Sequence, residues 1–189
     1  FSAIFCSLSL CTIGLNISSC SKEYSYEREQ QDSSVVKDSL PGAPPFLSSC
    51  SGCAIGNAIP DSSWQFTVDG STLCGLADKA IITLERSSFT FFGPSSCSSD
   101  SGFIASVYLN ESLNKNLKNV SAARVSFYYY DRLTPSYVLM SRSSDAFSLT
   151  IDSYVHQTGL AIGTFAGFAY TVNGIRKTIK EGKFKIKFF

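Results

Sequence analysis

The chain is short of the residues most enzymes use for chemistry. Its 189 residues include one histidine, His156, so no histidine triad can gather around a metal. No Gly-x-Ser-x-Gly run marks a nucleophile elbow, and no glycine-rich loop is placed to cradle phosphate. The carboxylates are scattered, which leaves no glycosidase-type acid pair to nominate. No internal repeat is present. Residues 1–19 lack Asp, Glu, Lys and Arg altogether. That stretch is nevertheless too short and too rich in serine to span a bilayer, which takes about 20 mostly apolar residues.

What the first stretch does contain is the h-region of a signal peptide, built from Ala3, Ile4, Phe5, Leu8, Leu10, Ile13, Leu15 and Ile17. It ends in Ile17-Ser18-Ser19-Cys20. That run resembles a bacterial lipobox, in which the cysteine is lipidated and becomes the first mature residue. A positive n-region is missing and the chain starts at Phe1, so a few further residues, Lys or Arg among them, are expected ahead of it. The alternative is a buried N-terminal strand or helix. Cys6 and Cys11 lie within the leader and are expected to leave with it. Several acyl chains on Cys20 would hold the protein to a membrane without any spanning helix. The expected location is the outer membrane, facing the periplasm or the cell surface, where disulfides persist.

Residues 20–49 read as the lipidated cysteine and a disordered tether. The segment from Ser21 to Ser34 is polar without apolar periodicity, and cannot bury enough surface to offset its ordering entropy. Pro41, Pro44 and Pro45 then favour extended backbone. As a flexible chain this tether spans roughly 30 Å.

Residues 50–189 are long enough for one domain with a real core. Their apolar residues recur with period 2, the mark of strands with one buried face. Phe103, Ala105, Val107 and Leu109 form one stripe. Val125, Phe127 and Tyr129 form another, Phe147, Leu149 and Ile151 a third, and Phe184, Ile186 and Phe188 a fourth. Asp69-Gly70 predicts a hairpin between 64–68 and 71–75. Asn173-Gly174 and Glu181-Gly182 predict turns that make a C-terminal three-stranded meander. Within residues 111–119 one short helical turn is expected. About nine to ten short strands without a long helix imply an all-β fold, an antiparallel β-sandwich or flattened barrel.

The domain keeps Cys50, Cys53, Cys74 and Cys97. An even count in an exported chain predicts two structural disulfides of unknown pairing. Two sharper readings compete. Cys50-Ser51-Gly52-Cys53 has redox-motif spacing, but the residues after it make a poor helix to lower a thiol pKa. Four thiolates could instead hold zinc, although only one of the two expected close pairs is present. The disulfide reading is preferred, and neither cofactor nor metal is expected.

Catalysis has one candidate row. Period 2 places Asp152, Tyr154 and His156 on one strand face, an arrangement suited to a proton relay. The nucleophile of such a hydrolase, acting on glycan or peptide, would be Ser153, Ser106 or a free cysteine. A lone histidine at a strand end more often serves structure, and a non-catalytic protein is the expectation. For binding, Tyr128 and Tyr130 share a polar face with Arg124, and exposed tyrosines stack on sugars or meet a protein partner. Cross-strand packing is the plainer explanation. Arg176, Lys177, Lys180, Lys183, Lys185 and Lys187 against Glu181 make the C-terminal stretch basic, while the remainder is net acidic within an overall +1. A basic strip can attract acidic glycans or lipid head groups. Lysines on a terminal strand also guard a sheet edge, and that explanation is preferred. Nucleic acid is not expected as a partner.

The start Cys20-Ser21-Lys22-Glu23-Tyr24-Ser25-Tyr26-Glu27 resembles that of many mature lipoproteins of the Bacteroidota. Gly163-Thr164-Phe165-Ala166-Gly167, the run from Thr178 to Phe184, and Phe91-Phe92-Gly93-Pro94-Ser95-Ser96-Cys97 look like parts of an uncharacterised β-rich lipoprotein domain of that group. The resemblance implies a lipid-anchored envelope protein with a sandwich-like domain, most simply a non-catalytic binding or structural module. It carries over no catalytic or binding residues.

Overall fold

A computed structural model describes residues 52–53, 59–98, 100–131 and 137–188. Cys20, the tether and Cys50 lie outside them. The described chain is all-β and antiparallel. Its strands are β1 (Ser63–Val68), β2 (Ser71–Leu76), β3 (Lys79–Ile82), β4 (Ser88–Pro94), β5 (Ser101–Leu109), β6 (Leu117–Asp131), β7 (Tyr137–Ser141), β8 (Phe147–Val155), β9 (Leu160–Tyr170) and β10 (Arg176–Lys187).

The strands form one sheet in the order β2-β1-β10-β9-β7-β6-β5-β4-β3, and β8 pairs with both β6 and β9. β7 and β8 share a single lane. Ser141 pairs with Ala169 and Phe147 with Gly167, so β9 advances two residues while the facing chain advances six. Residues 142–146 leave the sheet as a small excursion. It is pinned where the Arg142 guanidinium lies 4.0 Å above the Tyr170 ring and the Tyr170 hydroxyl donates to Asp145.

The far ends of the sheet meet. Gly75 of β2 bridges to Ser95, just past β4, and the Ser96 amide donates to the Cys74 carbonyl at 2.9 Å. The result is a small closed barrel, which answers the choice between sandwich and barrel.

The interior is aromatic. Trp64, Phe66, Phe91, Phe103, Phe127 and Phe184 are fully buried. Trp64 stacks on Phe103 at 5.0 Å, Phe91 meets Phe184 at 5.0 Å, and Phe66 meets Phe127 edge-on at 5.4 Å. The indole N–H donates to the Leu76 carbonyl at 2.8 Å, so its one polar atom is satisfied. Rings this large fit against the sheet because Gly163 faces Phe184 and Gly182 faces Phe165. A side chain at either glycine would strike the opposing ring.

Local signals succeed where the partner strand is the sequence neighbour. Asp69 and Gly70 both have positive φ and join β1 to β2 in a two-residue turn, as expected for a type I′ hairpin. Asn173-Gly174 falls in the connection from β9 to β10. Glu181-Gly182 does not turn the chain. Between Ile179 and Gly182, β10 gains one residue on β9, and the same step appears against β1. This is a β-bulge with Glu181 at positive φ. The predicted three-stranded C-terminal meander is therefore one long hairpin, β9–β10, and β8 supplies the third strand. No helical turn forms over 111–119: Leu117 already begins β6.

Replacing Phe103 by Ala removes the ring that touches Trp64, Phe91 and Phe127. Urea denaturation is expected to show a loss of about 3–5 kcal/mol, whereas an outer-face change such as Thr178→Ala stays within about 0.5 kcal/mol.

Candidate binding surface

The proposed catalytic row comes apart at a second bulge. Ile151 pairs with Gly163 and Ser153 with Ile162, so Asp152 is an extra residue on β8. One inserted residue reverses the alternation beyond it. Asp152 faces outward, and Tyr154 is buried with the core. The Tyr154 hydroxyl accepts from the Arg86 guanidinium at 2.7 Å and lies 3.3 Å from Nδ1 of His156. Arg86 also donates to the Leu113 carbonyl at 2.6 Å. His156 itself is exposed in the turn after β8, and its backbone N–H donates to Asn116. Neither serine candidate hydrogen-bonds to it. Ser106 lies on β5 and exchanges a 2.8 Å bond with Thr90. Arg86, Tyr154 and the Leu113 carbonyl thus form a structural latch, with His156 at its exposed rim.

Asp152 instead lines a cavity of about 400 Å³ on the outer surface, with Ile59, Ile162, Thr164, Lys183 and Lys185. β10 supplies both lysines because its outward positions are Thr178, Lys180, Lys183, Lys185 and Lys187. Inward positions hold Ile179, Phe184 and Ile186. This strand is central, lying between β1 and β9, so edge protection does not explain its charge. The sheet edges are β2 and β3. Lys185 is ion-paired with Asp61, and Lys177 meets Asp69 at 2.6 Å. Ile59 and Pro60 lie over β1, where outward-facing Ser63 and Gln65 are consequently buried. Ile59 also lines the cavity.

The cysteines serve structure. Cys53 is disulfide-bonded to Cys74 on β2, with Cα atoms 5.5 Å apart, and Cys97 is also disulfide-bonded. These bonds consume the thiolates that a four-cysteine zinc site needs. Cys53 is also not joined to Cys50 as a redox motif requires, and Cys50 lies outside the described residues. Among the described residues no group of three or more His, Cys, Asp or Glu side chains is placed to hold a metal. Comparison with protein families, curated proteins and solved structures finds no match.

The expected tyrosine–arginine trio does share the outer face of β6, opposite buried Phe127 and Tyr129, though each member has its own neighbours. The Arg124 guanidinium sits 4.2 Å over Tyr108, its cross-strand partner. Tyr130 lies across Gly102, where a side chain would collide with its ring. Arg124 and Tyr128 remain exposed and Tyr130 is half-buried. Sequence reading missed the cavity. Its residues come from three strands and the segment before β1, and only the pairing of those strands brings them together.

Tyr154→Phe deletes the acceptor of the Arg86 bond and should cost about 1–2 kcal/mol in chemical denaturation. His156→Ala, at an exposed position, should cost less than about 0.5 kcal/mol.

Proposed function

We propose that this chain is a lipid-anchored, non-catalytic binding module of the bacterial cell envelope that captures an acidic sugar in the cavity over β9 and β10. The observation that carries the reading is the position of Lys183 and Lys185. They sit on a central strand, beside apolar Ile59 and Ile162 and polar Thr164, around a cavity of about 400 Å³. Ligand pockets combine apolar walls with a few convergent polar groups, and this volume suits one or two sugar rings. The Lys185 ammonium, paired with Asp61 beside the cavity, can also donate to a ligand carboxylate, and Asp152 offers an acceptor to sugar hydroxyls. The bulge at Asp152 puts Asp152 and Tyr154 on opposite faces, which supports the non-catalytic reading over a relay along this row.

Location rests on the leader and on Cys20, which support an outer-membrane lipoprotein of the β-rich kind found in Bacteroidota. Full-length protein expressed in a bacterial host should partition with membranes and carry acyl mass on Cys20. Cys20→Ala should move it to the soluble periplasmic fraction, and an unacylated, soluble wild type would refute the anchor.

Calorimetric titration with digalacturonate is expected to show binding that weakens as salt rises. Lys183→Ala combined with Lys185→Ala should lower affinity at least tenfold. Equal affinity for neutral digalactose would exclude an acid-specific cavity.

A further inference from the structure

The charges around the cavity over β9 and β10 are unevenly matched. Lys185 is ion-paired with Asp61, and Lys183 is not a free cation either. Asp152 differs. Its half-buried carboxylate lines the same cavity, yet among the described residues it has neither an ion pair nor a hydrogen bond. With Asp61 beside the cavity, two lysines stand against two carboxylates, and the formal charges of these four side chains cancel. A purely anionic ligand would bring its charge close to Asp152 with nothing on the ligand to offset the repulsion.

The sheet holds the opposite charges apart. Strand β9 lies between β8, which carries Asp152, and β10, which carries the lysines. Lys183 pairs with Thr164 and Lys185 with Ile162, and the Asp152 bulge falls beside Gly163 and Ile162. Two strand spacings, about 9–10 Å, therefore separate the backbone of Asp152 from that of the lysines. Thr164 and Ile162 lie between them on the cavity lining. A ligand that satisfies both sides must carry its own charges apart. The ammonium and carboxylate of a free amino acid share one carbon and cannot reach both strands. A sugar ring can. In a 2-amino-2-deoxyhexuronate the amine and the carboxylate stand on opposite ring carbons, with hydroxyls between them for Thr164 and C–H groups for Ile59 and Ile162.

We propose that Asp152 is a specificity-determining residue that recognises an ammonium group, so that the ligand of the cavity is an amino-bearing uronic acid. The sugar carboxylate goes to the lysines of β10. Its ammonium goes to Asp152 in a charge-assisted hydrogen bond, roughly twice as strong as a neutral one. The inference rests on the acidic-sugar reading of the cavity and narrows it.

The test is calorimetric titration of the full-length chain with 2-amino-2-deoxygalacturonate, its N-acetyl derivative and galacturonate, at a pH where the free amine is protonated. The amino sugar should bind about tenfold tighter than the other two. Asp152→Asn should bring all three within about twofold of one another, and an unchanged thermal midpoint will show that the variant folds. Equal affinities in the parent chain, or a preference that survives Asp152→Asn, overturn the role of Asp152. The acidic-sugar reading still stands in that case if galacturonate binding is lost with Lys183→Ala and Lys185→Ala. Absence of binding by all three sugars overturns the inference as well, and the digalacturonate titration then decides the cavity reading separately.

Discussion

Closing a sheet around a column of aromatic rings imposes the condition that the other features answer. Trp64, Phe66, Phe91, Phe103, Phe127 and Phe184 must all reach the same narrow interior. Each ring needs a small residue or another ring opposite it, because interiors pack to crystal-like density. Gly163 beneath Phe184 and Gly182 beneath Phe165 satisfy that need on the β9–β10 pair. The ring edges and faces then settle into stacked and edge-on contacts, which contribute beyond the area they bury.

The same closure explains the bulges. A flat ladder cannot curl tightly, and an extra residue bends and twists the strand that holds it. β10 has its extra residue near Glu181 and β8 has one at Asp152. Each bulge has a consequence on the outside as well as the inside. The β8 bulge sends Asp152 outward to Thr164 and the lysines, and returns Tyr154 to the core, where Arg86 and His156 hold its hydroxyl. Surface chemistry here is a by-product of curvature: the geometry that packs the rings also decides which polar groups share the outer face.

The period-2 stripes and the Asp69-Gly70 hairpin were legible in the sequence because both depend on neighbouring residues. Strand number and class followed from them. Glu181-Gly182 was read as a turn because an acidic residue followed by glycine looks the same in a bulge and in a reversal. The difference lies in β1 and β9, which continue past it on both sides. Asp152, Tyr154 and His156 alternate faithfully in sequence, and only a partner strand reveals the inserted residue. The C-terminal lysines suggested an edge, since nothing local says that β1 will claim the other side of β10. The cavity was invisible for the same reason: Ile59, Asp152, Thr164 and Lys183 are far apart in sequence and come together only through strand pairing. The Cys53–Cys74 bond fitted the expected pair of disulfides, whereas its pairing had no local signal.

The pairing of β1 with β10 makes the barrel an all-or-nothing object during biosynthesis. The tenth strand to be made is the neighbour of the first, and it also holds β9 in place. Until it arrives, β1 and β9 each present an open hydrogen-bonding edge, and the aromatic interior has no wall on that side. Long-range closure of this kind is slow, because the loop entropy is lost before the contacts that offset it can form. The barrel therefore cannot close until nearly all of its strands are available, and any shorter piece of the chain keeps two unsatisfied edges.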